Sequence, residues 1–156
     1  MDPFDRALLD ALQTNNRQTA EQLSAQVGLS PDACRKRLSK LRQSGVIEAE
    51  VAVLNPEKLG RGLTLVVEVT LRSESPSEID AFQTRMLQAP EVMQCFYVTG
   101  EADFVLTLTA KDMADYEGFT RRHFFDEANI AKFRTNVVMK RVKSGLTIPL
   151  TSPETP

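Results

Sequence analysis

Histidine and cysteine are scarce in this sequence of 156 residues, which holds one histidine and two cysteines. Cys34 and Cys95 stand far apart, so they predict neither a disulfide framework nor a metal site. His123 lies beside two phenylalanines, where a lone histidine more often packs than serves as a base or a metal ligand. A phosphate-binding glycine loop is also missing. We therefore expect no metal and no cofactor, and an enzyme acting on a small metabolite stays only as an alternative.

Long apolar runs are missing as well, so the sequence predicts no helix that spans a bilayer. The chain begins with the acidic residues Asp2 and Asp5, which is unlike a signal peptide. Hydrophobic residues make up 42% and charged residues 26% of the chain, the profile of a globular protein in water. We expect a cytoplasmic protein with no membrane partner. The length suits two small domains, which bury little surface alone, so self-assembly is also expected.

The sequence has no large excess of positive or negative charge, since its formal net charge is −2. The chain as a whole therefore does not indicate nucleic-acid binding. Residues 34–42, however, contain five basic side chains and no acidic one. A local cluster of this kind can bind phosphates, or it can be a solvated helix face. Its meaning depends on where the local structure places it.

Helix signals fill the first fifty residues. Capping residues predict three helix starts, at Asp2, Thr19 and Ser30. Only Gly28 and Leu29 separate the second predicted helix from the cap of the third. A turn this short that contains glycine makes two helices cross steeply, as they do in a helix-turn-helix.

The third predicted helix carries Cys34, Leu38 and Leu41 at a spacing that turns them inward. The basic cluster then lies on the outward side, which a helix-turn-helix lays into the major groove of DNA. This context favours DNA contact over a solvated face. The residues predicted to contact double-stranded DNA are Ser30, Asp32, Arg35, Lys36, Arg37 and Lys40.

The second half of the chain has a different period. Val51 to Leu54 predict a short strand, Gly60 to Gly62 a hinge, and from Leu63 apolar residues recur at every second position. The elements that follow are strand, helix, strand, strand, helix and strand. The fold class is therefore α+β, with an N-terminal three-helix winged or helix-turn-helix domain plus a C-terminal ferredoxin-like βαββαβ domain. The predicted limits are 1–47 for the first domain, 48–61 for a linker, 62–142 for the second domain and 143–156 for a tail.

The predicted sheet carries helices on one face only, yet both faces of its strands hold apolar residues. Those assigned to the second face are Val66, Met93, Cys95, Tyr97 and Val105. We expect this face to be buried against a second copy of the chain. A capping box of Ser75 and Glu78 is predicted at the first helix of this domain, and Phe133 to Met139 mark its last strand. The stretch 140–150 is expected to be solvated rather than to cover a pocket or touch DNA, and the chain end from Pro149 is expected to be disordered.

Six segments resemble one family of regulators. They are DRALLDAL at 5–12, AEQLSAQV at 20–27, GLSPDACRKRLSKL at 28–41, SGVI at 44–47, NPEKLG at 55–60 and VTGEADF at 98–104. By their order and spacing together, the chain resembles the Lrp/AsnC, or feast/famine, transcription regulators over roughly residues 4–142.

The resemblance implies more than the residues alone do. Members of this family bind DNA as dimers, which commonly gather into octamers or similar rings, and they usually respond to an amino acid bound between dimers. By position, Gly100 and Asp103 are the first candidates for binding the effector, with Thr99, Glu101 and Ala102 beside them. Glycine lets backbone amides approach a carboxylate, and an aspartate can pair with an ammonium group. Without the resemblance, the same residues read as a hairpin turn.

Two positions depart from the family pattern. Ser39 stands where a basic residue is more common, and Arg35 where an aromatic or small residue is frequent, so no operator sequence is predicted. Two further functions stay open. One is an architectural protein that binds DNA with no effector and with strong salt dependence. The other is a sensing module whose DNA-binding half is inactive.

Overall fold

The computed structural model describes residues 1–150 and divides the chain into two compact units. The first unit contains Met1–Val53 together with the C-terminal segment that starts at Lys143, and the second is Leu54–Val142. The predicted linker, 48–61, is therefore divided between the two units after Val53. The predicted tail, which starts at Lys143, is grouped with the helical unit. Among the described residues, no helix is long and apolar enough to cross a membrane.

Three helices build the first unit, and their starts are the predicted ones. They are α1 (Pro3–Thr14), α2 (Ala20–Val27) and α3 (Pro31–Gln43). The side chains of Asp2, Thr19 and Ser30 accept hydrogen bonds from backbone amides of the first helical turns, at 2.9 to 3.2 Å. Gly28 ends α2 with φ +72°, in the left-handed region that favours glycine. The helix-turn-helix prediction is confirmed.

The core of the first unit lies where the three helices meet. Its buried residues are Leu8, Leu9, Leu23, Cys34, Leu38 and Leu41. The three residues of α3 that were expected to face inward are therefore all buried. Cys34 is fully buried and packs as a small apolar residue.

An ion-pair cluster ties α3 to the start of α1. The Arg37 guanidinium donates to Asp2 Oδ2 at 2.6 Å and to Asp5 Oδ1 at 2.8 Å, and it lies over the Phe4 ring at 5.6 Å. The backbone amide of Asp5 and then Arg37 lower the pKa of Asp2, and Arg37 lowers the pKa of Asp5. The bonds to both carboxylates raise the pKa of Arg37 in return.

The predicted linker strand is wrong. Residues 51–54 form no strand, and Val51, Val53 and Leu54 are 68%, 90% and 66% exposed. A strand needs a partner for its backbone hydrogen bonds, and none is present for this segment among the described residues. The chain continues into a short 3₁₀ helix (Glu57–Leu59), which ends at Gly60 with φ +72°.

The second unit has the predicted order of elements. They are β1 (Leu63–Leu71), α4 (Pro76–Gln88), β2 (Val92–Tyr97), β3 (Phe104–Ala110), α5 (Met113–Thr120), a π-helical turn (Arg121–Phe125) and β4 (Ile130–Val137). All neighbouring strands are antiparallel, and their order in the sheet is β2-β3-β1-β4. This is the ferredoxin-like arrangement, so the fold class is confirmed.

Two local predictions in this unit fail. Ser75 precedes α4, but its side chain accepts no capping hydrogen bond and lies 3.3 Å from Ser77 Oγ instead. The predicted capping box with Glu78 therefore does not form. The last strand begins earlier than expected and stops at Val137, and Met139 is 97% exposed.

The core of the second unit lies between the sheet and its helices. Its largest fully buried side chains are Phe82, Phe104, Phe119, Leu65, Met86, Leu106, Leu108, Val67 and Val69. On β1 the buried residues alternate with half-buried ones, as the period of two predicts. The half-buried residues belong to the opposite face of the sheet, which we call the open face.

The membership of the open face differs from the prediction. Paired residues in an antiparallel sheet share a face, and Cys95 pairs with Leu106 and Tyr97 with Phe104. Cys95 and Tyr97 therefore lie on the helix side. An irregularity between Val92 and Gln94 changes the alternation of β2, which the sequence pattern could not show.

The open face keeps two of the predicted residues, Val66 and Val105. Phe96 pairs with Val105 and so joins them, and its side chain is 52% exposed. Met93 stands at the irregularity of β2 and is 56% exposed. The open face is thus apolar at its centre, as expected, but through a partly different set of side chains.

The C-terminal stretch is not simply solvated. Leu150 is half-buried and packs against the core of the first unit. Ile148 and Leu150 also form backbone hydrogen bonds with side chains of α1. Residues 151–156, which the disorder prediction also covered, lie outside the described residues.

Replacing Arg37 by glutamine is expected to reduce the free energy of unfolding of the first unit at neutral pH, because two carboxylates lose a cationic partner. Hydrogen bonds hold the pKa of each carboxyl below its ordinary 3.8, from the Asp5 amide and then Arg37 for Asp2, and from Arg37 first for Asp5. The stability that this adds is present above about pH 4 and is lost as the pH falls through the lowered values. Denaturant unfolding between pH 7 and pH 2 should therefore show a shallower acid loss in the variant.

Arg121→Gln serves as the control, since it also removes one cation but from an exposed pair with Glu117 in α5. Exposed pairs of this kind contribute little to stability. An Arg37→Gln variant with the same acid dependence as the original protein would show that the cluster does not stabilise the fold.

Candidate functional site

The outward side of α3 is a basic surface. Arg35, Lys36, Ser39 and Lys40 are all exposed, opposite the buried side of the same helix. Residues spaced by four lie one above the other on a helix, so Lys36 and Lys40 share one side. Among the described residues, neither lysine pairs with a carboxylate within 4.0 Å. Their charges are therefore available to an outside anion.

The two predicted arginines are paired instead. Arg35 NH2 lies 3.1 Å from Glu21 Oε1 on α2 and 3.7 Å from Asp32 Oδ1. These groups are more than half exposed, so the pair is weak and can open towards a phosphate. Arg37 is less exposed, and its two short bonds to α1 make it a part of the fold.

The start of α3 holds the remaining predicted DNA contacts. Ser30 Oγ accepts from the amide of Ala33 at 3.2 Å, so the serine already caps the helix. Asp32 stands in the first turn with a side chain that is 86% exposed. Its negative charge would repel a phosphate at this end of the helix. Its carboxylate oxygens can accept a hydrogen bond from the amino group of a cytosine.

In the second unit, the β2–β3 loop is held by Asp103. Its backbone amide donates to Val69 O at 3.0 Å, and its carbonyl accepts from the Val98 amide at 2.8 Å. Its carboxylate Oδ2 accepts from the Leu71 amide at 2.7 Å. The aspartate therefore fastens the loop to β1, a role that sequence reasoning did not foresee. Gly100 has φ +130°, which side chains rarely adopt.

A small charged cleft lies beside this loop. Its volume is about 100 Å³, and it is lined by Glu68, Thr70, Glu101, Ala102, Lys132, Phe133 and Arg134. Arg134 NH2 is 3.4 Å from Glu68 Oε2 and 3.8 Å from Glu101 Oε2. Carboxylates and cations thus stand together in a space that fits a few non-hydrogen atoms.

The cleft contains only part of the predicted effector-binding set. Glu101 and Ala102 line it, whereas Thr99, Gly100 and Asp103 belong to the same loop but not to its lining. Sequence reasoning missed Glu68, Lys132 and Arg134. The signal was present, because charged residues at alternate positions of β1 and β4 must face away from the core.

The local surroundings of His123 and Cys95 do not favour catalysis. His123 is half-buried with its ring 4.7 Å from that of Phe119, and burial lowers its pKa. Burial raises the pKa of the Cys95 thiol, which opposes the reactive thiolate. Within the described residues, no group of three or more His, Cys, Asp or Glu side chains could hold a metal ion.

Comparison with known families gives matches over both units. An AsnC-type helix-turn-helix domain matches residues 1–42, and the Lrp/AsnC ligand binding domain matches residues 64–148. The first match contains α1, α2 and nearly all of α3. The second contains all of the sheet except Leu63, together with the β2–β3 loop and the charged cleft.

Relatives match over nearly the whole chain. An HTH-type transcriptional regulator of Sinorhizobium fredii is 49% identical over 150 residues, which are 96% of this chain and 89% of the relative. The leucine-responsive regulatory protein of Escherichia coli is 34% identical over 143 residues, 92% of this chain and 87% of that protein.

A solved structure agrees with these relatives. The transcriptional regulator of Neisseria meningitidis, solved as a complex with L-methionine, has a TM-score of 0.91 at 31% identity and covers 96% of this chain and 97% of its own. The family is one of transcription regulators, not enzymes. With its helix-turn-helix unit and its ligand-binding unit, the chain belongs to the Lrp/AsnC family of transcriptional regulators.

Proposed function

We propose that this regulator binds operator DNA through the outward side of α3 and responds to an amino acid bound beside the β2–β3 loop. The observation that carries the proposal is the exposed side of α3 in a helix-turn-helix, where Lys36 and Lys40 have no carboxylate partner among residues 1–150. The charged cleft of the second unit supports the sensing half.

DNA binding follows from the charges of α3. Lys36 and Lys40 are placed to contact phosphates, and Arg35 exchanges its weak pairs for a phosphate or a guanine edge. Arg37 holds α3 to α1 and so positions the other cations. Arg37 itself would contact DNA only if its ion pair with Asp2 opens. Ser30 and Asp32 complete the proposed contacts at the start of the helix.

A second copy of the chain is proposed to cover the open face of the sheet. Val66, Val105 and Phe96 form its apolar centre, and exposed apolar surface of this kind is typical of an interface. Two copies related by a twofold axis would set the spacing of the DNA half-sites. Further assembly of dimers into an octamer or a similar ring is part of the proposal.

The effector is proposed to be an amino acid because the cleft matches a zwitterion. Lys132 or Arg134 can hold the α-carboxylate, and Glu68 or Glu101 the α-ammonium group. Gly100, with φ +130°, permits the loop conformation that brings Glu101 and Ala102 to the cleft. Asp103 is proposed to act from beside the cleft, because its Oδ2 holds the loop that carries Glu101 and Ala102 and its carboxylate adds negative charge there.

Two relatives support this class of effector. The E. coli relative is named as leucine-responsive, and the Neisseria regulator was solved with L-methionine. Binding can alter regulation only to the extent that the amino acid prefers one assembly or DNA geometry over another. An architectural protein without an effector would have no need for the charged cleft.

Changing Lys36 and Lys40 together to alanine is expected to weaken DNA binding across all sequences, because phosphate contacts are lost. The slope of log affinity against log salt should become shallower by about one for each lysine in a bound subunit. Fluorescence anisotropy with a labelled duplex at several salt concentrations measures both effects.

The double variant Lys58→Ala/Lys111→Ala is the matched control, since it removes the same charge from exposed positions of the other unit. An equal slope for the original protein and the α3 variant would contradict the proposed groove contact. An equal loss in both double variants would assign the effect to net charge alone.

A thermal-shift screen against the twenty amino acids is expected to give a selective rise in unfolding temperature. A ligand at a hundredfold excess over its dissociation constant stabilises the folded state by about 2.7 kcal/mol. Arg134→Gln should reduce the shift, because one of the two cations that can hold the α-carboxylate is lost. Asp103→Asn should reduce it, because an asparagine oxygen can still accept from Leu71 but carries no charge.

Glu74→Gln, an exposed position outside the cleft, should leave the shift unchanged. A selective shift that is undiminished in both Arg134→Gln and Asp103→Asn would move the binding site elsewhere. No shift with any of the twenty would overturn the amino-acid effector while leaving the DNA-binding proposal intact.

A further inference from the structure

The C-terminal segment docks on α1 through one peptide unit. Gln13 Nε2 donates to the carbonyl of Ile148 at 3.1 Å, and the amide of Ile148 donates to Gln13 Oε1 at 2.7 Å. One side-chain amide therefore binds both the donor and the acceptor of a single residue. A neighbouring antiparallel β-strand binds a residue in the same way, through both its backbone amide and its carbonyl.

A second anchor follows two residues later. Arg6 NH1 donates to the carbonyl of Leu150 at 3.2 Å, and the Leu150 side chain is half-buried against the core of the three helices. Arg6 and Gln13 are seven residues apart, which is close to two helical turns, so they lie on one side of α1. That side forms a docking site for an extended segment.

The docking depends on the backbone and on one side chain. Leu146 and Ile148 are 76% and 65% exposed, so neither is needed to fill a pocket. Hydrogen bonds at exposed positions and one half-buried leucine form a small contact, which thermal motion can open. None of these contacts involves Lys36 or Lys40, so docking does not occupy the proposed DNA-binding lysines.

We propose that residues 146–150 are a strap that completes the DNA-binding unit by docking reversibly on α1 of the same chain. The strap follows β4, which ends at Val137, after a joining segment of eight residues. The helix-turn-helix unit thus includes residues 146–150 in addition to its three helices.

Hydrogen exchange on the chain of 156 residues tests the strap with two variants that break it. Gln13→Ala removes the side-chain amide that binds the strap. Ile148→Pro removes the backbone N–H that donates to Gln13 Oε1. Amides of α1 should exchange about tenfold faster in both variants, as expected for the loss of hydrogen bonds of ordinary net strength. Amides of β1 (Leu63–Leu71) should not change.

Ile148→Ala is the matched control at the same position, because it keeps the backbone donor and removes only an exposed side chain. It should exchange like the original protein. In the original protein, the Ile148 amide should exchange more slowly than a free peptide but faster than the amides of α1, as a reversible contact requires.

Three results would overturn the proposal. The first is free-peptide exchange at Ile148 in the original protein. The second is unchanged exchange of α1 in both Gln13→Ala and Ile148→Pro. The third is equal acceleration in Ile148→Ala, which would assign the effect to the side chain of Ile148 instead of its backbone.

Discussion

Burial of Cys34, Leu38 and Leu41 is the constraint on which the DNA-binding unit depends. These three residues anchor α3 against α1 and α2, and their burial decides which side of the helix remains in water. The positive charges of α3 occupy that other side because a helix cannot bury them without partners. The direction of the basic surface of α3 is thus a consequence of apolar packing, because the charged side chains occupy the side that packing leaves in water.

Ion pairing then divides the cations of α3 into two kinds. Arg37 is bound by two carboxylates at the start of α1, and this keeps the first helix and the third together. Arg35 has only exposed and separable partners, and the lysines have none among the described residues. A chain with a net charge of −2 can therefore present a local basic surface, because its acids neutralise particular arginines and leave the lysines.

In the second unit, burial of one apolar face of the sheet likewise leaves the charged side chains on the opposite face. Apolar side chains on one face of β1 are buried under the helices, so charged residues at the alternate positions collect on the other face. Pairing brings Glu68 of β1 opposite Arg134 of β4, next to the loop that Asp103 holds in place. The charged cleft arises from strand register together with one aspartate that bonds to the neighbouring backbone.

The sequence by itself determined the element order, the helix starts at Asp2, Thr19 and Ser30, and the buried side of α3. These depend on local hydrogen bonds and on the period of apolar residues, which neighbours along the chain decide. The resemblance added the loop at 98–104. Only the tertiary structure decided the partners of Arg37, the face on which Cys95 lies, the residues of the cleft, the missing strand at 51–54 and the docking of Leu150. Each of these depends on groups that are distant in sequence or on an irregularity of strand pairing. A local period shows at most which side chains face away from the core, and not which distant partners they meet.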